Sequence, residues 1–322
     1  MAFLEAGHSL GFDEFALKNP SPHTPRALEL LKADVEGDGT AKITEDPLEI
    51  CVVSEDYTYR FSRHTGMLTG IELGGKELLK QPAEINIWRA PTDNDMYIRP
   101  LWERARYDRA YPHAYEVRAD NEARGAVIGA KVALVSPSLQ PMLKADVEWI
   151  IRPDGVLQVN AKVCRDTQFP ELPRLGLRFF LDKSLQQATW AGLGPHENYV
   201  DKCRSSWHGY FESSVGDLFQ NYLRPQENGT RSDCDYLRLC GEELTVEVAS
   251  AEAYSFNASH FSQEELTEKT HDYQLTEADS TILCLDHLMA GIGSQSCGPK
   301  LLEKYRVDFE TTQFSFTIRL SN

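Results

Sequence analysis

The feature that most constrains this chain is a two-residue alternation of apolar and polar side chains that sets in near residue 44 and recurs to the C-terminus. Successive side chains of an extended strand point to opposite faces, so this period marks strands with one face buried. Residues 50–53 and 57–61 carry it in aromatic and β-branched side chains, which suit a pleated, half-buried surface. Arg63-His-Thr-Gly66 supplies a turn, and residues 67–73 return. Residues 145–151, the turn Pro153-Asp-Gly155 and residues 156–163 form a hairpin pattern. Residues 175–181, 244–249, 281–285 and 314–320 extend the series. Helical patterns are few and short: one covers 100–109, and another starts at Ser262, where Ser262 and Glu265 form a capping box. Many strands, hairpin turns and few crossovers predict an all-β fold, a large antiparallel β-sandwich with few short helices.

The first forty-odd residues read differently. Glu14-Phe-Ala-Leu17 fits the end of a strand, and Asn19-Pro-Ser-Pro-His-Thr-Pro25 is a proline-rich joint that cannot hold regular structure. Residues 27–35 have helix-like apolar spacing, and Gly37-Asp-Gly-Thr40 is a second break. The division expected is a loosely held unit over residues 1–43 and the sandwich over 44–322.

Charge and composition narrow the function. Lys+Arg 33 against Asp+Glu 49 leaves a net charge of −16, which opposes partners held through phosphates, so neither nucleic acid nor an anionic membrane is expected. The apolar run 125–135 is broken by Lys131 and falls short of the about 20 residues a membrane span needs. Glu5 stands where a signal peptide would turn apolar. The seven cysteines are odd in number, scattered and never spaced C-x-x-C, which fits reduced thiols in a cytoplasmic protein. The glycosylation-type triplets at Asn228 and Asn257 are expected to be turns. Gly70-Ile-Glu-Leu-Gly-Gly75-Lys76-Glu77 nearly matches a phosphate-binding loop. It fails at Glu77, where a Ser or Thr would bind magnesium, and reads instead as a strand ending in a Gly-Gly turn. The nine histidines show neither a helical i, i+4 pair nor zinc spacing with cysteine, so no metal site is expected.

Three stretches are dense in groups that loops use against polar ligands. Trp88-Arg-Ala-Pro-Thr-Asp-Asn-Asp95 offers carboxylates and amides for hydroxyl groups and an aromatic face for a sugar ring. The same residues fit still better, by how often such side chains make Asx turns, a turn in which Asp93, Asn94 and Asp95 act as caps and pair with Arg89. If extended, the stretch would hold the Cα atoms of Asp93 and Asp95 about 6.6–6.8 Å apart with both side chains pointing the same way, a geometry compatible with a glycosidase carboxylate pair and no more than that. Trp190-Ala-Gly-Leu-Gly-Pro-His-Glu-Asn-Tyr-Val-Asp201 reads as a tight loop with His196, Glu197 and Asn198 at its tip, or as a structural corner with Tyr199 in the core. His287-Leu-Met-Ala-Gly-Ile-Gly-Ser-Gln-Ser-Cys-Gly-Pro299 has small residues that allow close backbone approach, or is a plain connection before the last strand.

Taken in order, these stretches resemble the C-terminal region of the glycoside hydrolase family 2 β-galactosidases. Residues 88–95 are similar to the family's R-A-P-x-D-N-D, residues 192–199 to G-L-G-P-x-E-N-Y, Pro225-Gln-Glu-Asn-Gly229 to P-x-E-N-G, and residues 287–299 to its closing M-G-x-G-x-x-S-x-x-P loop. The head, residues 6–17, resembles the last strand of the immunoglobulin-like domain that precedes this sandwich. The resemblance implies a galactose-mutarotase-like supersandwich that closes one side of a β-galactoside pocket in an enzyme of lactose catabolism. It implies Arg89, Asp93, Asn94, Asp95, His196, Glu197, Asn198 and Cys297 as pocket-wall residues. The family keeps both catalytic glutamates on a separate (β/α)₈ barrel of about 250 residues, with magnesium and sodium beside it. No catalytic residue and no cofactor are therefore expected in this chain. The barrel would be its partner, in cis or in trans, and the chain either a fragment, which the head favours, or a small subunit. Two departures stand out. Cys297 occupies the place where many relatives carry a platform Trp, and a thiol offers no stacking face. Met96-Tyr97 stands where some members have a glycine-containing mobile loop.

Two rivals remain at this level. A stand-alone mutarotase-like epimerase needs a His acid and a carboxylate base in one cleft, and His196 and Glu197, as neighbours in a strand, would face opposite ways. The other is a carbohydrate-binding or assembly module without catalysis.

Overall fold

In β3 (Tyr57–Ser62) Tyr57, Tyr59 and Phe61 are buried while the residues between them are half-buried, so the two-residue period becomes one packed face. The computed structural model describes residues 11–15, 23–32 and 41–322. After α1 (Pro25–Leu31), the strands β1 (Lys42–Glu45), β2 (Glu49–Val53), β3, β4 (Leu68–Leu73) and β5 (Lys76–Glu77) form a five-stranded antiparallel sheet in chain order. The near-match to a phosphate-binding loop is the β4–β5 hairpin, with Gly74 and Gly75 at positive φ in its turn.

The remaining strands make one branched, twelve-stranded antiparallel sheet. They are β6 (Leu79–Asn86), β7 (Tyr111–Glu122), β8 (Gly125–Val135), β9 (Leu143–Ile151), β10 (Leu157–Arg165), β11 (Arg174–Asp182), β12 (Gln187–Gly194), β13 (Trp207–Ser214), β14 (Arg231–Cys240), β15 (Thr245–Ser259), β16 (Ser280–Met289) and β17 (Thr311–Ser321). The main path runs β13-β12-β14-β15-β17-β10-β9-β8-β7. Strand β15 forks: residues 245–249 pair with β17, whereas 255–259 pair with β16, which continues through β11 to β6. One apolar cluster, with Phe61, Trp149, Trp190, Phe256 and Phe316 at its heart, takes side chains from both sheets. Tyr59 Oη donates to the Gly155 carbonyl at 2.8 Å, and Trp149 Nε1 to the Gly66 carbonyl at 3.1 Å, tying the small sheet to the large one. The architecture is the expected all-β antiparallel sandwich. Short helices α2 (Arg99–Ala105), α3 (Val215–Leu218) and α4 (Gln263–Glu268) decorate it.

Three expectations change. Within the head, the described residues 23–32 are docked on the sandwich, not loosely held. Ala27 and Leu30 of α1 are buried against Val156, Ala191, Tyr236 and Ala249, the Thr24 amide donates to Asp235, and Arg152 donates to the Leu30 and Lys32 carbonyls. The helix ends at Leu31, and residues 11–15 are irregular; the rest of the expected strand end lies outside the described residues. At α4, Ser262 caps the Glu265 amide at 3.1 Å, but the Glu265 carboxylate accepts from the Thr276 amide, so the box is only half made. Asn257 lies inside β15, not in a turn, and its side chain donates to the Asn228 carbonyl at 2.5 Å.

Candidate functional site

Strand β6 delivers residues 88–95 to a junction where all four motif stretches meet. Arg89 is 1% exposed, and its guanidinium donates to Asp95 Oδ1 at 2.7 Å and to the carbonyls of Ala290 and Gly291 at 2.9 and 3.2 Å. The other Asp95 oxygen accepts from the Thr92 amide at 2.8 Å, closing a single 3₁₀ turn over Asp93–Asp95. The stretch is therefore not extended. Asp95 turns inward to cap and pair, Asp93 turns out to solvent, and the two do not form a carboxylate pair across a cleft. Among the described residues the Asp93 carboxylate has no partner, since only its amide is engaged, by Gln226 Oε1 at 3.4 Å. Asn94 faces the closing loop: Nδ2 donates to the Gly293 carbonyl at 2.7 Å, and Oδ1 accepts from Ser296 Oγ at 2.6 Å.

The loop after β12 is a structural corner more than an open tip. His196 is exposed, but Glu197 and Asn198 are buried. Glu197 accepts from Lys202 Nζ at 2.6 Å, the Tyr222 hydroxyl, and the Gly229 amide at 2.8 Å. Burial works against its charged form, yet these donors hold its carboxyl below the usual range. Asn198 spans the corner: Nδ2 donates to the Leu193 and His196 carbonyls, and Oδ1 accepts from the Ser232 amide and hydroxyl. With both its oxygens committed, Glu197 does not share a cleft face with His196.

Beneath the junction lies a polar cluster that the sequence reading passed over. Arg174, at the start of β11, forms a two-pronged pair with Asp286 of β16 at 2.9 and 2.5 Å and reaches Glu227 at 3.3 Å. Glu227 also accepts from Thr230 Oγ1 at 3.0 Å and from the buried Tyr199 hydroxyl at 3.5 Å, while its amide donates to the Ala90 carbonyl. Burial pushes the Glu227 carboxyl up, against the pull of Arg174 and Arg89. The available signal was a charge inside an otherwise apolar strand pattern, at Arg174 and at Asp286.

Residues 290–301 close over this base. Cys297 is exposed, and its amide donates to the Ser294 carbonyl at 3.2 Å. Between this loop and α2 lies a cavity of about 260 Å³, bounded among others by Arg89, Asn94, Tyr97, Trp102, Gly293 and Lys300. Three larger open clefts, of about 620, 770 and 420 Å³, lie on the β7–β10 face, beside the head, and around Lys80, Asp182 and Glu243. None of the three is lined by any of the eight candidate side chains, whereas Arg89, Asn94 and Asp95 line the smaller cavity. The fold thus gathers Arg89, Asn94, Asp95 and the Cys297 loop, joins Glu197 and Asn198 to them through residues 227–232, and leaves Asp93 and His196 exposed. Among the described residues, no group of three or more His, Cys, Asp or Glu is placed to hold a metal ion, and no helix is long and apolar enough to cross a membrane.

Residues 53–320 match the family model described as beta galactosidase small chain. The chain is 40% identical to a β-galactosidase of Actinobacillus pleuropneumoniae over 304 residues, covering 94% of this chain and 29% of that protein. It is 34% identical to a β-galactosidase of Staphylococcus xylosus over 269 residues, covering 83% of this chain and 27% of that protein. The chain therefore spans under a third of the length of these relatives. Among solved structures it resembles galactose 1-epimerase from Lactobacillus acidophilus NCFM at a TM-score of 0.47 and 9% identity, covering 88% of this chain and 99% of that one. A galactose mutarotase-like protein from Lactobacillus casei gives 0.45 and 10%, over 84% and 99%. The family match over most of the chain and the 40% identity suffice: the chain belongs to the β-galactosidase small-chain family.

Proposed function

We propose that the chain is the non-catalytic sandwich of a glycoside hydrolase family 2 β-galactosidase and forms one wall of its galactoside pocket. The observation that carries this reading is the convergence of four motif stretches, spread over residues 88–299, on one junction under the closing loop. In this reading the exposed Asp93 and His196 face ligand, Asn94 and Asp95 shape the rim, and position 297 borders the aglycone. The retaining chemistry needs a carboxylate nucleophile and a carboxylic acid about 5–5.5 Å apart. The buried carboxylates among the described residues, Asp95, Glu197, Glu227, Asp235 and Asp286, are all engaged by donors within the chain, so in this reading that pair, with its magnesium and sodium, belongs to a barrel-bearing portion of the same enzyme.

The test is reconstitution. The purified chain alone is expected to hydrolyse no aryl β-galactoside, and adding the barrel-bearing portion in trans is expected to restore turnover. Hydrolysis by the chain alone, lost on Asp93→Ala, would move the catalytic pair into the sandwich and sink the reading. In the whole enzyme, Cys297→Ala should leave KM within about threefold, because a thiol adds little to sugar stacking. Cys297→Trp should tighten aglycone binding by about 0.5–1.5 kcal/mol through the added ring face.

A further inference from the structure

The closing loop, residues 290–300, lies outside the strands; backbone bonds from Ala290 to Pro173 and from Gly291 to Tyr305 fix its start, and side chains hold the path beyond. Arg89 holds its start, through the Ala290 and Gly291 carbonyls, and two further side chains from different motifs grip its middle. Asn94 holds the Gly293 carbonyl and Ser296 from one side. From the other side, Asp201 takes two successive amides: Ile292 N–H donates to Oδ1 at 3.0 Å and Gly293 N–H to Oδ2 at 2.7 Å. A carboxylate cradled by consecutive amides is strongly held, because each hydrogen bond is charge-assisted. The fit is close enough to dictate a neighbour. A Cβ added at Gly291 would meet Asp201 Cγ at 2.6 Å and both carboxylate oxygens at 2.7 Å, which only glycine avoids. Gly293 then sits at φ +65, which aims its carbonyl at Asn94 while its amide stays on Asp201. The Asp201 base is itself firm: Tyr199 and Lys202 exchange both backbone hydrogen bonds across it, at 3.0 and 2.8 Å, and the Tyr199 ring is buried. No ion pair competes for the carboxylate among the described residues, so the loop amides are its partners.

We propose that Asp201 is the positioning residue that sets the register of the closing loop, and through it the place of residue 297 beside an incoming galactoside. This rests on the pocket-wall reading above for its consequence in binding, but not for the anchoring itself. It also accounts for the glycines at 291 and 293, which the sequence explains only as small residues.

The experiment uses the whole enzyme carrying Asp201→Ala, the milder Asp201→Asn, or Gly291→Ala, which drives a methyl group into the carboxylate. Hydrogen exchange of peptides covering residues 290–297 should speed up by about tenfold or more once the two amides lose their acceptor. Exchange elsewhere in the sandwich and the melting temperature should stay put. KM for an aryl β-galactoside should rise about tenfold with kcat changed less than twofold, because a misplaced wall weakens binding before it touches a barrel-borne reaction. Unchanged exchange at the loop in all three variants overturns the anchor. So does faster exchange throughout the sandwich, which would make Asp201 a general stability residue. Loop exchange that rises with KM unmoved overturns the role in binding. A wild-type enzyme without galactosidase activity sinks the proposed function, while loop exchange still judges the anchor.

Discussion

Strands β9 and β10 and strands β11 and β16 belong to the same sheet and obey opposite rules. Along β10, Val159, Ala161 and Val163 face the core while Lys162 and Cys164 face water. Along β11, eight successive residues are buried, Arg174 and Arg178 among them. On the solvated side of the sheet, charges pair only with near neighbours across the open face: Lys131 meets Glu116 and Arg124 meets Glu148. In the doubly buried strands every charge draws partners from distant segments. Arg178 gathers Glu84, Gln263 and Glu264, and Arg174 gathers Asp286 and Glu227. Burial therefore turns ordinary charges into long-range ties. The motif junction sits at that end of the sheet because ties of this kind are what bring residues 90, 174, 227 and 286 together.

The sharpest way to break this contrast is to remove the buried cation. Arg174→Leu leaves the Asp286 and Glu227 carboxylates buried without their counter-charge, and the expected loss is about 3–5 kcal/mol. Chemical denaturation of the isolated variant, or its failure to accumulate as folded protein, reads the effect. A loss under about 1 kcal/mol would mean that the carboxylates neutralise by taking up protons, and the cluster would then be a weak tie.

How much of this was legible follows the same division. Strands with one wet face announced themselves, and residues 57–61, 145–151 and 314–320 lie within the observed β3, β9 and β17. Strand β12 was read only as a loop motif, because its buried small residues Ala188, Ala191 and Gly194 carry no alternation. Strand β8 passed for an apolar run, since Ala126, Val127 and Ile128 are buried in succession. At the site, the motif strings named the right loops but not the orientation of their side chains. Three adjacent polar residues, Asp93, Asn94 and Asp95, have three different fates, because a 3₁₀ turn rotates each about a third of a circle from the last. Arg174 and Asp286 lie 112 positions apart, a pairing that no local pattern encodes.

An intermediate effect is expected at Glu197, which combines burial with three donors. Glu197→Gln should cost about 1–3 kcal/mol at neutral pH, since the charge-assisted bonds from Lys202 and Tyr222 are weakened and the Gly229 amide keeps only a neutral acceptor. The folded-state pKa lies below the ordinary 4.5. The stabilisation is therefore present above that ordinary value and lost as pH falls through the lowered one. Wild type and variant should differ most near neutrality and converge in acid. A gap that persists at acid pH would show that shape, not charge, supports the corner.

On the wet face the matching loss should be small. Arg124 pairs with Glu148 in a two-pronged arrangement, at 2.9 and 2.6 Å, but both side chains are over a third exposed. Arg124→Ala should cost about 0.2–1 kcal/mol and less in high salt. A cost equal to that of Arg174→Leu would erase the contrast between the two regions.

The smallest expected effect repeats the Arg174 arrangement in water. His208 on β13 stands between two carboxylates, with Nδ1 2.8 Å from Glu14 of the head and Nε2 2.7 Å from Asp233. Both ring nitrogens must carry hydrogen to satisfy both partners, so the geometry favours the imidazolium. Partial burial lowers the ring pKa, but the hydrogen bonds to Asp233 and Glu14 outweigh it and leave the ring above its ordinary 6.5. The stabilisation of the docked head is therefore complete below 6.5 and disappears as pH rises through the raised value. Half the His208 side chain faces solvent, so screening limits the contribution to about a few tenths of a kcal/mol. Titration of the His208 ring by NMR should give a midpoint above 6.5 in the wild type, shifted down in both Asp233→Asn and Glu14→Gln. The Phe12–Trp207 edge-to-face contact, with ring centroids 5.3 Å apart, should keep the head in place meanwhile, so Trp207 fluorescence should barely change between pH 6 and pH 8. A large fluorescence change over that interval would make the exposed bracket, not the aromatic contact, the main hold on residues 11–15, and a cation between two carboxylates would then matter as much in water as it does in the core.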